Sequence, residues 1–597
     1  MNNFSKRRED EKRPAGLEFL QEEVTEQKVF TPECFTAEQK TMAMIAQDFL
    51  TRELLPRTER IEQAESGLMR NLMIKAGESG LMMADVPKEY GGSGTGLRMS
   101  TILSEQIAWE HSFAATWIVQ TGISLLPLVY FGSEALKAKY LPGMVTGKII
   151  GAFAVTEAEA GSDIMATRTR AALSADGRYY ILNGAKKWIS NAGLADIFIV
   201  FAKVDDTKFT EFVIEKKWVG VSIGSEEQKL GIRGSSHCPV FFEDVRVPVE
   251  NVLGEIGKGS KIVFSTLALG RLKMAAGCAG ACKEALALTI KHTAERRTFG
   301  KPLGDFGLIQ KKLAWMAAET YVIESMVYRS IGAIDDRLTD LRLGNKLNRD
   351  QIQAAIDAYA IEASICKIFA SEASGRIIDE GLQLFGGYGY IQGHAIERAY
   401  RDIRITRIYE GTNEINRLLI AEALLRQQMP TMLKSLPQIE EIIKNERSRV
   451  MTGPIELREP LSVLKRAKLI SRSIMTKATI SLLPTIEHEQ EFLEYIADIL
   501  IILYALDSSL VRALAALQGD NRQAHTHILI AQLVTWHLMF ALGKTLDAVA
   551  SIIFREKNLD EELRQIHDFI GTTSLDVIGT QRALSKLVMT EGEYPLS

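Results

Sequence analysis

The most informative stretch of this chain reads Arg404-Ile405-Thr406-Arg407-Ile408-Tyr409-Glu410-Gly411-Thr412-Asn413-Glu414-Ile415. It places one carboxylate, Glu410, directly before a glycine and behind an aromatic residue and two arginines. A base that removes a carbon-bound proton is best a carboxylate shielded from full hydration, because burial and neighbouring charges tune its pKa. The stretch also fits an ordinary helix start, in which Thr412 or Asn413 caps the helix and Glu410 is a surface acid. Both interpretations are open on this stretch alone.

The length and composition are those of a soluble globular enzyme. A chain of 597 residues predicts about three to four domains. Charged residues make up 24% and the formal net charge is −4, so no basic excess indicates nucleic-acid binding. The five cysteines form no metal-ligand pattern, which favours small core residues in a reducing compartment over a metal site.

No segment of the sequence is typical of a signal peptide or a membrane span. The start of the chain is charged and lacks an apolar signal core. The nearest apolar run, from Ile528 to Leu542, is interrupted by Gln532, Thr535 and His537, which favours a buried helix over a spanning one. We therefore expect a cytoplasmic protein.

Hydrophobic periodicity divides the chain into helical, β, helical and helical parts, so the predicted fold class is mainly α with an inserted β-domain. The predicted units are a polar N-terminal segment (1–37), an N-terminal helical domain (38–148), a β-domain (149–255), a helical bundle that carries Glu410 (256–430) and a C-terminal helical extension (431–597). Within the β-domain, Asn183-Gly184 stands between two apolar runs and predicts a tight hairpin.

Two motifs in the β-domain suit a flat heteroaromatic ligand. The run Phe153-Ala154-Val155-Thr156-Glu157-Ala158-Glu159-Ala160-Gly161-Ser162-Asp163 combines hydroxyls and backbone N–H groups with a glycine turn, which can hold a polar ring edge and an anion together. Strand alternation puts Trp188 and Ser190 on one face, where the indole can pack against a ring and the hydroxyl can bond a ring nitrogen. A plain turn and a core tryptophan explain the same residues without any ligand.

Two further motifs follow predicted helices. Arg296-Arg297-Thr298-Phe299-Gly300 offers a guanidinium to a phosphate, or it is a basic helix C-terminus that complements the helix dipole. Gln383-Leu384-Phe385-Gly386-Gly387-Tyr388-Gly389-Tyr390 is similar to a dinucleotide fingerprint, which requires a strand before it and a helix after it. The preceding run has helical periodicity, so a Rossmann fold fits poorly, although the amides of such a turn can bind pyrophosphate.

Taken together and in this order, the motifs resemble the acyl-CoA dehydrogenase family, over about residues 38 to 425. The resemblance implies FAD as the cofactor and a fold built of a helical domain, a β-barrel-like domain and a helical bundle. It implies that Glu410 is the catalytic base and that no metal takes part.

The resemblance also implies which residues bind the ligands. The implied FAD-binding residues are Phe153, Val155, Thr156, Ser162, Trp188, Ser190, Arg296, Thr298, Phe299, Gln383, Gly386, Gly387, Thr412 and Glu414. The implied acyl-CoA-binding residues are Ser162, Arg271, Tyr409 and Gly411. In the family's arrangement Ser190 bonds flavin N5, and the segments at 296–299 and 383–387 reach FAD across a subunit interface.

Three positions depart from the family pattern. Ala158 replaces the proline usual after Thr-Glu, which predicts a looser loop. Ala268 stands where some relatives have a polar residue that contacts CoA, so that contact is in doubt. Some relatives carry the base on another helix, at the position of Gly270; a glycine cannot serve there, which strengthens the assignment of Glu410.

The helical block after residue 430 makes the chain most like the very-long-chain subgroup, whose known members are dimeric. The implied activity is α,β-dehydrogenation of a long-chain fatty acyl-CoA to trans-2-enoyl-CoA in β-oxidation, with electrons passed to electron-transfer flavoprotein. Residues near Val119 and Gln120 are expected at the base of the acyl pocket. An acyl-CoA oxidase and a flavin-binding assembly scaffold are the alternatives, and Glu410 argues against the scaffold.

The extension contains a segment that is basic and apolar at once, from Leu461 to Ile474. Such a helix can lie at an anionic membrane surface, since each basic residue contributes about 1 kcal/mol near that surface. This interpretation predicts peripheral membrane contact. An ordinary helix packed on the dehydrogenase core explains the same composition, and it predicts a domain that only supports packing and dimerisation.

Overall fold

The computed structural model describes residues 16–21, 24, 29–343, 348–445, 453–483, 485–518, 523–554, 559–571 and 574–596. In this part of the chain, helices precede and follow a block of strands between residues 151 and 253. The fold is therefore mainly α with an inserted β-domain, as the periodicity of the sequence predicts.

The helical region before the strands consists of α1 (Ala37–Phe49), α2 (Thr58–Glu62), α3 (Leu68–Glu78), α4 (Leu97–Gln106), α5 (His111–Ile118), α6 (Leu125–Phe131) and α7 (Glu134–Val145). Thr36 begins α1 through a capping box, in which its hydroxyl accepts from the Gln39 N–H at 3.2 Å and the Gln39 side chain accepts from the Thr36 N–H at 2.9 Å. A π-helical turn, Val119–Ser124, links α5 to α6. This turn packs against both the first strand of the sheet and the bundle, so it joins the two.

The β-domain is a sheet made of β1 (Gly151–Ala154), β2 (Arg170–Leu173), β3 (Tyr179–Ser190), β4 (Ile197–Val204), β5 (Lys208–Glu215), β6 (Val221–Ile223), β7 (His237–Pro248) and β8 (Val252–Leu253). The strand order is β6-β7-β3-β2-β4-β5-β8, and β1 pairs in parallel with β4. The central strand β4 is apolar without interruption from Ile197 to Ala202, which fits the burial of this part on both faces.

The predicted hairpin at Asn183-Gly184 is wrong. β3 continues through both residues and pairs with β7 on either side of them. The register shifts at a bulge between Leu182 and Gly184, where the glycine has a φ of 152°. An added Cβ on Gly184 would lie 2.5 Å from Thr169 Oγ1. The glycine therefore permits the close approach of a neighbouring segment, and it does not reverse the chain.

The bundle consists of α8 (Gly259–Glu295), α9 (Gly307–Leu343), α10 (Arg349–Asp357), α11 (Ala360–Phe385), α12 (Gly387–Tyr390), α13 (Ala395–Ile403) and α14 (Asn413–Gln427), and a short hairpin of β9 (Arg297–Thr298) and β10 (Lys301–Pro302) follows α8. Small residues let α8 run through the middle of the bundle. At Gly280, for example, an added Cβ would lie 2.1 Å from the Glu105 carbonyl oxygen on α4. Helices α4, α9 and α11 all pack against α8.

The C-terminal extension consists of α15 (Met429–Asn445), α16 (Arg458–Leu482), α17 (Gln490–Gln518), α18 (Ala524–Ile553), α19 (Leu559–Ile570) and α20 (Val577–Glu591). Its helix α17 packs against α9 and α14 of the bundle as well as against α18. Ion pairs cross this junction: the buried Arg512 pairs with the buried Glu324 of α9 at 3.0 Å and with the partly exposed Glu33 of the N-terminal segment at 2.6 Å. The extension therefore shares one continuous core with the bundle.

The interpretation of the basic segment in α16 as a membrane-facing helix is wrong. The Lys468 side chain is 7% exposed and forms an ion pair with Asp507 of α17. Arg466 donates from Nε to the Ile570 carbonyl at the end of α19, at 3.0 Å. The charge of Lys468 is neutralised inside the protein and Arg466 is bonded to a neighbouring helix end, so α16 is a packing helix of the extension. Membrane contact through another surface stays a prediction.

Among the residues that the structure describes, four helical stretches are long and apolar enough to cross a membrane by length and composition, whereas the apolar runs of the sequence predict none. They are His111–Phe131, Gly259–Glu295, Gln490–Leu517 and Ala524–Ile553, and their apolar windows are 89%, 83%, 94% and 56% buried inside the protein. The expectation failed because it required an uninterrupted apolar run, and a high mean hydropathy tolerates scattered polar residues. Burial of the first three stretches explains their apolar character as core packing.

Candidate active site

Glu410 lies in the turn between a 3₁₀ turn at Arg404–Arg407 and helix α14. Its φ is +59° and that of Gly411 is +79°, a left-handed conformation that is uncommon for glutamate. Thr412 caps α14, since its hydroxyl accepts a hydrogen bond from the Ile415 N–H at 3.3 Å. The helix-start interpretation is therefore right for Thr412. It is wrong for Glu410, whose Oε2 is buried.

Three side chains from three helices hold the backbone of this turn. Arg271 of α8 donates from Nε to the Glu410 carbonyl at 3.0 Å. Lys367 of α11 and Asn416 of α14 each donate to the Gly411 carbonyl at 2.8 Å. A left-handed residue other than glycine costs on the order of 1–3 kcal/mol and persists where its surroundings over-determine it. The position of the Glu410 side chain is therefore set by the bundle as a whole.

The Glu410 carboxylate faces α8 at Gly270. An added Cβ on Gly270 would lie 3.1 Å from Glu410 Oε2 and 2.8 Å from Ile123 Cγ2. Oε2 has no hydrogen-bond partner among the described residues. Leaving a buried acceptor unpaired costs about 1–3 kcal/mol, so this atom is expected to find its partner in a bound ligand or in ordered water.

Burial raises the pKa of Glu410 to about 7, although the positive charges of Arg271 and Lys367 lower it. The pKa of Lys367 is itself lowered to about 8, by burial first and by repulsion from Arg271 second. Burial also lowers the pKa of Arg271 to about 10. A carboxyl group with a pKa near 7 can accept a proton efficiently at neutral pH.

Strand β3 brings the predicted loop and the predicted tryptophan together. The Lys187 N–H donates to the Thr156 carbonyl at 2.9 Å, so the loop after β1 lies beside Trp188. Trp188 has a φ of +56° at a second bulge in β3, and it is 53% exposed. This bulge interrupts the alternation from which one shared face for Trp188 and Ser190 was predicted, so that derivation is wrong. Ser190 is half-buried and shares a hydrogen bond with His237 at 2.9 Å.

A buried carboxylate anchors the loop that carries Thr156. Glu157 accepts hydrogen bonds from the Arg168 N–H at 2.7 Å and from the Thr169 hydroxyl at 2.6 Å, and it pairs with Lys186 at 2.7 Å. Lys186 also donates to the Val155 carbonyl at 3.2 Å. These bonds restrain the loop at the residue before Ala158, which offsets the freedom expected from the missing proline. Phe153 is buried in β1, and Ser162 is exposed near the end of the loop.

The turn Val119–Ser124 connects the loop side of the site to the Glu410 side. Gln120 accepts a hydrogen bond from the Gly151 N–H of β1 at 2.7 Å and donates to the carbonyls of Met144 and Ile149 at 3.1 and 2.9 Å. Ile123 of the same turn lies against Gly270 and the carboxylate. The structure thus brings the residues of the β-domain and Glu410 to opposite sides of one turn.

A cavity of about 780 Å³ lies between α8, α10, α11 and α14. Arg271 and Ser364 are buried on its inner wall, and Lys261 and Arg426 are exposed on its outer wall. Arg271 donates to the Ser364 hydroxyl at 3.1 Å and, from Nε, to the Glu410 backbone. The cavity therefore extends inward to Arg271, the side chain that bonds the backbone of the Glu410 turn.

The remaining predicted residues form a second cluster at the far end of α8. Arg296 to Phe299 follow α8, and Gln383, Gly386 and Gly387 stand at and beyond the end of α11. The rings of His292 and Phe385 stack with centroids 4.2 Å apart, which brings the two helix ends together. At about 1.5 Å per residue, α8 covers about 36 Å between Arg271 and Glu295, so this cluster is remote from Glu410 of the same chain.

Three family models match the chain: the acyl-CoA dehydrogenase N-terminal domain over residues 36–148, the middle domain over residues 152–245 and the C-terminal domain over residues 257–425. The chain belongs to the acyl-CoA dehydrogenase family. The predicted resemblance to this family is thereby confirmed, as is the fold that the resemblance implied.

Individual acyl-CoA dehydrogenases match most of the chain. A probable acyl-CoA dehydrogenase of Bacillus subtilis (strain 168) is 41% identical over 517 residues, which cover 85% of this chain and 86% of that protein. The very long-chain specific acyl-CoA dehydrogenase, mitochondrial, of Bos taurus is 36% identical over 514 residues, which cover 79% and 74%. The crystal structure of an acyl-CoA dehydrogenase complexed with FAD from Bacillus anthracis matches with a TM-score of 0.94 and 37% identity, and covers 97% of this chain and 99% of that one. The protein is an FAD-dependent oxidoreductase of this family.

Exposed groups of this acyl-CoA dehydrogenase fit FAD. Trp188 offers an indole that is 53% exposed beside the Thr156 loop. Gly386 and Gly387 have open space where a side chain would stand, and the Phe299 ring is 92% exposed. An aromatic ring of FAD can stack on the Trp188 indole or on the Phe299 ring. Its pyrophosphate can accept hydrogen bonds from the amides of the open turn at Gly386 and Gly387.

Three residues of the site were not predicted from the sequence: Lys367, Asn416 and His237. Lys367 is a single cation within the apolar run from Ala363 to Phe369, and a lone charge in such a run is a signal of a buried functional or structural role. Asn416 and His237 gave no signal, because their roles depend on a turn and a strand pairing that the sequence does not specify. Glu414, which was predicted, is exposed next to this turn, and Thr298 is half-buried in β9.

Proposed function

We propose that Glu410 is the base that removes the α-proton of the acyl-CoA substrate. The single observation that carries this assignment is the buried, unpaired Oε2, which faces Gly270 and belongs to a carboxyl group with a pKa of about 7. FAD, when bound, supplies the acceptor for the hydride that leaves the β-carbon. Arg271 holds the Glu410 carbonyl and Lys367 holds the Gly411 carbonyl. The fixed turn can orient the Glu410 N–H as a donor to the thioester carbonyl, whose polarisation makes proton loss feasible.

The cavity between α8, α10, α11 and α14 is the proposed route of the CoA thioester. Arg271 on its inner wall bonds the Glu410 carbonyl, and its guanidinium lies beside Gly411. Tyr409, the residue before the base, is a further proposed contact of the thioester. Lys261 and Arg426 on its outer wall suit the phosphates of a CoA group, because cations at an exposed rim attract them. Ser162, exposed near the end of its loop, is the proposed contact on the β-domain side.

The proposed FAD site takes its ring contacts from Thr156, Trp188 and Ser190 of one chain. Thr412 and Glu414 border the same site from the turn of Glu410. The proposed contacts to pyrophosphate and adenine are Arg296, Thr298, Phe299, Gln383, Gly386 and Gly387, and Phe153 and Val155 support the loop.

The remoteness of the second cluster supports a homodimer. About 36 Å of helix separates Glu295, next to this cluster, from Arg271. A second copy can bring its own cluster to the FAD of the first. Phe299, Leu308 and Tyr390 are 92%, 78% and 84% exposed, and such side chains are expected to be covered by a partner.

We propose a long-chain fatty acyl-CoA as the substrate, a role in β-oxidation and electron-transfer flavoprotein as the electron acceptor. The shared C-terminal extension and the very-long-chain relative support the chain length. Gln120 is fully buried, and both the oxygen and the nitrogen of its side-chain amide make hydrogen bonds. We therefore propose that it forms a fixed wall of the acyl pocket. A pure scaffold is disfavoured, because it has no use for an unpaired buried carboxylate.

The test is a turnover series with butyryl-CoA, octanoyl-CoA, palmitoyl-CoA and longer substrates. Each substrate is assayed with electron-transfer flavoprotein, with an artificial acceptor and with oxygen alone, and Glu410→Gln serves as the matched control. The proposal predicts highest kcat/KM for palmitoyl-CoA or longer, with turnover that depends on an acceptor other than oxygen. Equal turnover with oxygen alone would establish an oxidase, and a preference for butyryl-CoA would overturn the chain length.

A further inference from the structure

His237, at the start of β7, makes two hydrogen bonds that together determine its protonation. Its Nδ1 lies 3.0 Å from the Ser235 carbonyl oxygen, and its Nε2 lies 2.9 Å from Ser190 Oγ. A carbonyl oxygen can only accept, so Nδ1 carries a hydrogen. Burial lowers the pKa of His237 to about 4, so the ring is neutral near pH 7 and carries only that hydrogen. Nε2 is therefore an acceptor.

The hydroxyl hydrogen of Ser190 must point at His237, because Nε2 has no hydrogen to offer. The Ser190 oxygen then presents lone pairs in its other directions. The Ser235 carbonyl holds the His237 ring through Nδ1. Glu226 holds the main chain at this point, since the His237 backbone N–H donates to it at 2.8 Å and the Ser236 hydroxyl donates to the same carboxylate. The polarity of the Ser190 hydroxyl is thus set before any ligand arrives.

We infer that His237 is a positioning residue that commits the Ser190 hydroxyl to act as an acceptor toward flavin N5. This inference rests on the proposed contact of Ser190 with N5. Oxidised N5 has a lone pair and no hydrogen, and it gains nothing from a second acceptor. Reduced N5 carries a hydrogen that the Ser190 oxygen can accept. A serine held in this way favours reduced over oxidised FAD, and so it raises the reduction potential of the bound cofactor.

The test compares the reduction potential of bound FAD in wild type, His237→Leu and His237→Gln, measured by equilibration with a redox dye under anaerobic conditions. His237→Leu removes the acceptor and frees the Ser190 hydrogen to bond oxidised N5. The expected result is a reduced-to-oxidised ratio about tenfold lower at a fixed dye potential, which corresponds to about 30 mV for a two-electron couple. His237→Gln keeps an acceptor oxygen and is expected to restore most of the wild-type potential. FAD occupancy and the visible spectrum are measured on the same samples.

Ser190→Ala and the double variant with His237→Leu test two statements separately: that Ser190 contacts flavin N5, and that His237 acts on the flavin through Ser190. If His237 acts through Ser190, adding His237→Leu to Ser190→Ala changes the potential no further. An unchanged potential in His237→Leu, with a shifted one in Ser190→Ala, overturns the role of His237 and leaves Ser190 at N5. Unchanged potentials in both overturn the placement of Ser190 itself, without bearing on Glu410. If His237→Leu does not retain FAD, His237→Met, which also lacks a nitrogen or oxygen acceptor, takes its place in every comparison.

Discussion

Replacing Gly270 by alanine should disturb the base without removing it. The new Cβ would lie 2.8 Å from Ile123 Cγ2 and 3.1 Å from Glu410 Oε2. Ordinary contacts between carbon atoms begin near about 3.5 Å, so the Ile123 contact alone is about 0.7 Å too short. Either the turn Val119–Ser124 or the carboxylate must move.

The size of the effect follows from these overlaps. Extra volume in a packed core costs about 1–3 kcal/mol. Replacing glycine by alanine in a helix returns about 1 kcal/mol, which leaves a net loss of stability of roughly 0–2 kcal/mol. A misplacement of catalytic groups by about 1 Å can cost about 10²-fold in rate, so a shift of half that size is expected to lower kcat by about tenfold.

The assay is steady-state turnover of palmitoyl-CoA with an artificial acceptor, together with thermal unfolding and FAD content. Gly277→Ala on the same helix is the matched control, because its added Cβ would lie 3.5 Å from the nearest atom, an ordinary contact. We expect kcat to fall about tenfold for Gly270→Ala and to stay near wild type for Gly277→Ala, with FAD bound in both. Wild-type kcat in Gly270→Ala would refute the placement of the carboxylate against α8.

Three other perturbations follow from the same geometry. The value of kcat/KM should rise with pH through about 7 as Glu410 loses its proton. Lys367→Met should move the midpoint of this rise upward, because it removes a positive charge that lowers the pKa of Glu410. The pH profiles of both proteins test this, and a downward shift of the midpoint would contradict it. Arg296→Ala should lower FAD occupancy more than Arg297→Ala, whose guanidinium is bonded to the Gly300 carbonyl at 3.0 Å; the ratio of flavin to protein absorbance measures it, and equal occupancies would show the register to be wrong. Arg512→Met should lower the free energy of unfolding by about 3–5 kcal/mol, because the carboxylates of Glu324 and Glu33 lose the cation that they share. Urea unfolding measures this, and a loss below about 1 kcal/mol would contradict the role of Arg512 in joining the extension to the bundle.

The order of helical and β regions was predictable because hydrophobic periodicity is a local property of the sequence. The segment from Asn183 to Ser190 was not, because the same Asn-Gly pair serves a tight turn or a bulge according to which strand pairs with it. In the structure β3 pairs with β7 across the pair, and a second bulge at Trp188 ends the simple alternation. The pairing of β3 with β7 depends on residues far away in the sequence, so Asn183 and Gly184 alone do not predict it.

The candidate site divides in a similar way. Glu410 could be found because its residue type, its glycine and its family motif coincide in one short stretch. Its partners Arg271 and Lys367 lie on other helices, and only the fold shows that both hold the same turn. The basic residues of α16 were predicted wrongly because their partners are distant in sequence. Lys468 alone is typical of an exposed basic face, and only the fold shows that Asp507 of α17 pairs with it inside the protein.

The most direct test of the account is the anaerobic reduction of bound FAD by palmitoyl-CoA in Glu410→Gln, followed by rapid mixing and loss of flavin absorbance. The amide keeps the shape of the side chain but cannot accept the α-proton at neutral pH. The account predicts that this variant folds, retains FAD and binds substrate, and that flavin reduction slows by at least about 10²–10⁴-fold. Flavin reduction at a near-normal rate in the fully loaded variant would contradict the assignment of Glu410 as the base.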